Sequence, residues 1–152
     1  MTRPEAVVLG IDPGRKKCGL AVLSVDGRVL ARRVLPLDDL PQAVAALVAT
    51  QPVRCIVVGA GTGSDLVLES IQHAAAGGRI VVRDERNTTL AARRRYWVEN
   101  PPSGLWRLVP TTLRVPPKPH DDLVAVILAE EWLRDDSRAR EGTQEEADEP
   151  GT

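Results

Sequence analysis

Three groups of acidic residues in this 152-residue chain lie at the end of a predicted strand or at the start of a predicted helix. They are Asp12, after the first apolar run; Asp84 and Glu85, after the fifth predicted strand; and Asp121 and Asp122, at the start of the last predicted helix. In sheets with parallel strands, ligands bind beyond the carboxyl ends of the strands. Converging carboxylates repel one another unless a cation lies between them, and oxygen-only ligands select hard divalent ions. The pattern therefore predicts a site for Mg²⁺ or Mn²⁺, ions that serve in phosphodiester hydrolysis.

Each of these acids also fits a purely structural role. Asp12 precedes a Pro-Gly pair and fits the start of a turn. The two acids after the fifth strand fit a solvated strand end, and either acid of the last helix fits its N-cap. The hypothesis of a metal site depends on all three occurring together in this order of elements.

The predicted elements that carry the acids follow the order β-β-β-α-β-α-β-α-α. Three strand-like runs open the chain within residues 6–36, the second and third joined by a hairpin turn at Asp26-Gly27. Helices and strands then alternate, and the last helix, from Asp121 to about Leu133, is apolar nearly all round. We predict an α/β fold in which helices flank a mixed five-stranded sheet.

Composition excludes several classes of protein. The chain has no run of about 18 apolar residues that could span a membrane, and its first residues lack the apolar core of a signal peptide. The two cysteines, Cys18 and Cys55, lie in apolar strand-like runs, which indicates buried thiols rather than a disulfide or a zinc site. We therefore expect a cytoplasmic protein with no membrane partner.

Charge divides the chain unevenly, although 20 Lys and Arg nearly balance 21 Asp and Glu. Residues 135–152 contain seven acidic and two basic residues, whereas residues 1–134 contain 14 acidic and 18 basic residues. We predict one domain at residues 1–134 and an acidic, disordered tail at residues 135–152. A mildly basic domain is compatible with a polyanionic ligand such as nucleic acid.

Three segments resemble motifs of known nucleases. Residues 9–22 (LGIDPGRKKCGLAV) resemble the opening hairpin of the RuvC-like branch of the RNase H-like superfamily. Residues 84–89 (DERNTT) are similar to the Asp-Glu-Arg-Leu-[Ser/Thr]-Thr motif of the YqgF family, also called RuvX, and residues 121–130 (DDLVAVILAE) resemble its final Asp-containing helix. The chain departs from the family pattern at Asn87 and in the glycine-rich loop at residues 59–63, as a divergent member would.

The resemblance implies an RNase H-like nuclease that resolves Holliday junctions or matures the small-subunit ribosomal RNA precursor. It implies that Asp12, Glu85 and Asp121 are catalytic acids that bind Mg²⁺ or Mn²⁺. Asp122 is a further metal ligand in this interpretation, and is nearly as good a choice as Asp121. The implied partner is nucleic acid, either branched DNA or RNA, and a homodimer is left open.

Basic residues near these acids are candidates for contacts with the phosphate backbone. They are Arg15, Lys16 and Lys17 after the first strand, Arg86 beside Glu85, and Arg93 and Arg94 in the third predicted helix. Arginine can bind phosphate bidentately. Consecutive arginines on a helix cannot all face one ligand, and a solvated face is an equally good interpretation of them.

Two other functions are left open by the sequence. A non-catalytic RNA- or DNA-binding factor, associated with transcription or the ribosome, would keep the fold without turnover. An actin-like ATP-binding protein would use a similar Asp-x-Gly hairpin to bind phosphate. Such proteins need two domains and a cleft, whereas this length supplies one domain.

Overall fold

The computed structural model describes residues 5–84 and 121–148, together with residues 91, 94, 95, 98, 99 and 108. In chain order its elements are β1 (Val7–Asp12), β2 (Lys17–Ser24), β3 (Val29–Pro36), a 3-10 turn (Leu37–Asp39), α1 (Leu40–Thr50), β4 (Val53–Gly59), α2 (Ser64–Ile71), β5 (Ile80–Arg83) and α3 (Asp121–Asp148). The described residues from 91 to 99 have a helical backbone, at the place of the third predicted helix.

The five strands form one mixed sheet in the order β3-β2-β1-β4-β5. Strand β1 pairs antiparallel with β2 and parallel with β4, β3 pairs antiparallel with β2, and β5 pairs parallel with β4. Tight hairpins suffice for the antiparallel pairs, whereas the parallel pairs need the longer connections that contain α1 and α2. The predicted α/β fold with a mixed five-stranded sheet is confirmed.

Strand β1 is central and buried on both faces, which explains its continuous apolar sequence. Leu9 and Ile11 pack in the cluster formed with α1 and α2, whereas Val8 packs against α3 on the other face. At Gly10, a Cβ atom would lie 2.0 Å from the carbonyl oxygen of Ala125. The missing side chain therefore lets α3 lie directly on the backbone of β1.

Helices α1 and α2 cover the face opposite α3. Leu40 and Val44 of α1 are fully buried, and so are Val67 and Ile71 of α2. In each helix the two buried side chains are four residues apart and lie on one face. Burial of this apolar face against the sheet holds each helix in place. Within the part of the chain that the structure describes, no helix is both long enough and apolar enough to cross a membrane.

Helix α3 covers one face of the sheet and then continues past its core. The sequence predicts that the helix ends near Leu133, where the apolar residues stop, but it runs to Asp148. That predicted end is wrong because a helix can continue beyond its buried apolar stripe when charged side chains support it, as Arg140 does by pairing with Asp136 one turn earlier at 3.2 Å. Residues 135–148 are thus helical where the sequence predicts disorder. The division of the chain into a domain and an acidic tail stays a prediction.

Strand β3 forms one edge of the sheet and is largely exposed. Val29 and Leu30 are 39% and 48% exposed. Arg32 pairs with Ala21, whose side chain belongs to the α3 face, so Arg32 lies on that face as well. Because side chains alternate along a strand, Arg33 lies on the opposite face, where it lines a shallow groove beside α1.

Candidate metal and nucleic-acid site

Asp12 occupies the carboxyl end of the central strand. Val8 and Gly10 of the same strand contact α3, so the alternation of side chains places Asp12 on the α3 face too. The residue is 9% exposed, and a carboxylate buried to this degree needs a hydrogen-bond partner, an opposite charge or a cation. Asp12 is therefore positioned by the buried sheet rather than by a mobile loop.

The start of α3 lies against the residue that pairs with Asp12. Gly19 of β2 is the ladder partner of Asp12. A Cβ atom at Gly19 would lie 2.0 Å from the carbonyl oxygen of Asp121 and 2.8 Å from the backbone nitrogen of Asp122. Glycine is needed here because any side chain would occupy the space of the helix backbone. Two segments more than a hundred residues apart in the sequence thus meet at Gly19.

The thiol of Cys18, on the strand beside Asp12, is buried in the core on the α1 and α2 face of the sheet. Burial, followed by the negative charges of Asp12 and Asp121, raises the pKa of Cys18 to about 11. The Sγ atom donates a hydrogen bond to the carbonyl oxygen of Leu35 at 3.7 Å. The buried thiol is therefore protonated at neutral pH.

We expect the protein to lose stability in alkaline solution and its thiols to resist modification while it is folded. Burial raises the pKa of Cys55 to about 11 as well. Because these pKa values are raised from the ordinary value of 9.0, the stabilisation of the folded state is complete below about pH 9 and decreases as the pH rises toward 11. Urea unfolding between about pH 9 and 11 measures the free energy of unfolding. The control is the Cys18→Ala/Cys55→Ala variant, whose free energy of unfolding should depend less on pH. Rapid reaction of the native protein with a thiol reagent would contradict the expectation.

Asp122, the next residue of α3, is directed toward β3. Its carboxylate lies 3.5 Å from Nε of Arg32 and accepts a hydrogen bond from the backbone N–H of Leu123 at 3.0 Å. The guanidinium of Arg32 also donates two hydrogen bonds to Glu99, at 3.0 and 3.4 Å. Among the described residues, by contrast, no ion pair involves Asp121. The two adjacent aspartates therefore have different surroundings.

The acids that follow β5 start from the same edge of the sheet as Asp12. The parallel register puts Gly59 level with Asp12 and pairs Gly59 with Arg83. Arg83 is therefore two strand spacings from Asp12, roughly 10 Å. Asp84 comes next and is exposed, while Glu85 lies outside the described residues.

The donor atoms present suit a hard divalent ion. The carboxylates of Asp12 and Asp121 supply oxygen only, which is the ligand type that Mg²⁺ and Mn²⁺ prefer. Within the described ranges, no three His, Cys, Asp or Glu side chains form a group able to hold a metal ion. A metal site built on Asp12 and Asp121 would need a further acid, and Glu85, two residues past β5, is the candidate that the sequence predicts.

The predicted basic residues divide between described and undescribed segments. Arg15, Lys16 and Lys17 are exposed in and beside the loop after β1, immediately next to Asp12, and Arg94 is exposed in the helical segment. Arg86 and Arg93 lie outside the described residues. Among the salt bridges between described residues, none involves these four exposed cations.

The glycine-rich loop after β4 packs against the loop after β1 that carries Arg15, Lys16 and Lys17, here called the basic loop. Gly63 has φ +91°, a conformation that favours glycine, and its missing Cβ would lie 2.9 Å from the carbonyl oxygen of Gly14. Gly14 itself is confined, because a Cβ there would lie 2.2 Å from the carbonyl oxygen of Lys17. The two loops therefore pack backbone to backbone at the carboxyl ends of β1 and β4.

Gly19 and Arg32 are two important residues that sequence reasoning missed. Glycine in a strand signals close approach of another backbone, and that signal was present at Gly19 without indicating which segment approaches. Arg32 carried no signal, since its partners, Glu99 and Asp122, lie 67 and 90 residues further along the chain.

A mixed sheet in the order 3-2-1-4-5, with helices on both faces, defines an RNase H-like α/β fold of the RuvC-like type. The fold is similar to T. thermophilus RuvC in complex with Holliday junction substrate, with a TM-score of 0.61 and 21% identity, covering 91% of this chain and 98% of that one. A second Thermus thermophilus RuvC structure gives a TM-score of 0.56 and 19% identity, covering 90% and 97% of the two chains. No protein-family model matches the sequence, and no curated protein matches it. The likeness establishes the fold, and the resemblance to the YqgF family stays a prediction.

Proposed function

We propose that this protein is a divalent-metal-dependent nuclease that hydrolyses phosphodiester bonds of structured nucleic acid. The observation that carries the proposal is that the backbone of Asp121 lies against Gly19, the strand partner of Asp12 at the carboxyl end of the central strand. The shared fold supports it, since T. thermophilus RuvC was solved with a Holliday junction substrate. The substrate proposed here is accordingly a branched DNA or a folded precursor of ribosomal RNA.

In this proposal Asp12, Asp121 and Glu85 hold Mg²⁺ or Mn²⁺ through carboxylate oxygens. Such an ion, when bound, lowers the pKa of a water molecule and stabilises the leaving oxygen. Asp12 and Asp121 contribute rigidity, because one ends a buried strand and the other begins a helix that lies on Gly19. Asp121 is preferred to Asp122 as the ligand because Asp122 already pairs with Arg32.

We expect the basic loop to contribute a salt-dependent part of nucleic-acid binding. Each phosphate contact adds about 0.9 to the slope of log affinity against log salt concentration. Replacing Arg15, Lys16 and Lys17 together by alanine should therefore weaken binding and lower that slope by up to about 3. Fluorescence anisotropy with a labelled four-way junction, in Ca²⁺ to prevent cleavage, measures both quantities.

Arg54→Ala is the matched control for the basic loop. Arg54 is exposed at the amino end of β4, at the opposite end of the sheet from Asp12. Its replacement removes one positive charge from the protein, yet it should leave the salt dependence of binding unchanged. A triple variant whose slope equals that of the wild type would exclude the loop from the interface.

A cleavage panel tests the proposed function directly. The substrates are a four-way DNA junction, duplex DNA, single-stranded DNA, single-stranded RNA and precursor ribosomal RNA, each with Mg²⁺, Mn²⁺ or a chelator. We expect cleavage with either ion and none with the chelator, and preference for the junction or the precursor RNA identifies the substrate class. Sedimentation of the free and bound protein gives the oligomeric state, which bears on whether a homodimer presents two sites to one junction.

The same panel separates the alternative functions. Tight RNA or DNA binding without cleavage under any metal condition would favour a non-catalytic, transcription- or ribosome-associated factor. Hydrolysis of ATP independent of nucleic acid would favour the actin-like alternative. Either result would remove the nuclease proposal.

A further inference from the structure

The guanidinium of Arg32 binds two carboxylates that come from different parts of the chain. On one side, Arg32 contacts Asp122, adjacent to Asp121 at the start of α3. On the other, it binds both carboxylate oxygens of Glu99, which has a helical backbone. Arg32 lies on β3, so the sheet itself anchors both segments.

A second ion pair completes the connection. Arg95, one turn before Glu99, lies 3.7 Å from the carboxylate of Glu99 and donates a hydrogen bond to Glu130 of α3 at 2.7 Å. The contacts form a chain of alternating charges: Asp122, Arg32, Glu99, Arg95 and Glu130. The charged side chains of this chain are between about one fifth and two fifths exposed, so each pair is partly shielded from solvent.

We propose that Arg32 is a positioning residue of the metal site, a role that rests on the proposed nuclease function. Its guanidinium turns Asp122 toward β3 and fixes the start of α3, so that Asp121 is the aspartate that accompanies Asp12. Through Glu99 and Arg95 it also ties β3 to Glu130 of α3. Arg32 touches neither substrate nor metal in this proposal and acts entirely through these carboxylates.

Lysine and arginine differ at such a position. The planar guanidinium reaches Glu99 with two nitrogens and Asp122 with a third, whereas an ammonium group is a point charge that cannot hold both carboxylates in one geometry. Arg32→Lys therefore keeps the charge and loses part of the geometry. This matters because loss of a positive charge alone would favour binding of a cation.

Mn²⁺ binding, measured by electron paramagnetic resonance or calorimetry, tests the proposal without relying on cleavage. Loss of groups that orient metal ligands typically costs about 10- to 100-fold in metal affinity. We expect Arg32→Ala to weaken Mn²⁺ binding at least about tenfold, Arg32→Lys to recover part of the loss, and Glu99→Gln to weaken it less than Arg32→Ala. The melting temperature without metal should change by only a few degrees, because partly exposed ion pairs contribute little stability.

Arg33→Ala is the matched control, since Arg33 is the adjacent arginine on the other face of β3 and lines the groove beside α1. It should bind Mn²⁺ like the wild type. If Arg32→Ala binds Mn²⁺ as tightly as the wild type, or more tightly because it frees Asp122, the positioning role is wrong while the nuclease proposal stands. If the wild-type protein binds no Mn²⁺, or Asp12→Asn binds it equally well, the metal site fails and the role of Arg32 fails with it.

Discussion

Replacing Asp12 by asparagine is expected to reduce metal-dependent cleavage by at least about a thousandfold, which corresponds to about 4 kcal/mol of lost transition-state stabilisation. Asparagine keeps the size of the side chain but removes the negative charge that binds a divalent ion. Folding should be retained, because asparagine fills the same space at the end of the buried strand and can still form hydrogen bonds. Cleavage rates with Mg²⁺ and Mn²⁺, together with thermal unfolding, measure both effects.

Asp39→Asn supplies the control for this prediction. Asp39 is exposed and precedes α1, where its side chain makes no capping hydrogen bond. The same chemical change there should leave both cleavage and the melting temperature near those of the wild type. Full activity in a folded Asp12→Asn preparation would remove this carboxylate from the mechanism.

Gly19→Ala is expected to reduce cleavage about a hundredfold and to lower the free energy of unfolding by about 1–3 kcal/mol. The added Cβ would lie 2.0 Å from the carbonyl oxygen of Asp121, and backbone on both sides leaves no flexible group to move aside. The start of α3 must therefore shift away from Asp12. Overpacking of this kind costs about 1–3 kcal/mol, and a displacement of about 1 Å at an active site can cost about a hundredfold in rate.

Comparison with a variant of similar stability separates the two effects of Gly19→Ala. Ile71→Val removes one methylene from the buried side of α2, on the opposite face of the sheet, and should cost about 1 kcal/mol. We expect that variant to keep its cleavage rate per folded molecule, whereas Gly19→Ala should lose most of it. Equal rates in the two variants would show that the contact at Gly19 does not position the site.

The architecture could be predicted because it follows from local patterns in the sequence. The unbroken apolar run of β1 requires cover on both faces, and the Asp26-Gly27 turn specifies the hairpin between β2 and β3. The later alternation of helices and strands requires parallel pairing. Asp12 could be assigned to the carboxyl end of a strand for the same reason, since strand ends are local features.

The arrangement of the site could not be predicted in the same way, because it depends on contacts between distant segments. The sequence separates Asp121 from its neighbour Asp122 only weakly, whereas in the folded chain Asp122 pairs with Arg32 across the sheet. The close packing at Gly19 likewise exists only after β2 pairs with β1 and α3 crosses both. The extent of α3 was missed for another reason, since an apolar stripe marks where a helix is buried rather than where it ends.

Strand β3 carries two adjacent arginines within an otherwise apolar sequence, Val-Leu-Ala-Arg-Arg-Val-Leu-Pro. The backbone of an edge strand can pair with another chain and so nucleate aggregation, and charged side chains oppose this because they must be dehydrated on docking. Arg32 lies on one face of β3 and Arg33 on the other. A second strand that pairs with this edge, in either orientation, would therefore have to dehydrate a charged side chain. Neutralising both would leave a run typical of aggregation-prone segments. Single replacements keep one of these gatekeepers in place, so the purified variants should remain monodisperse.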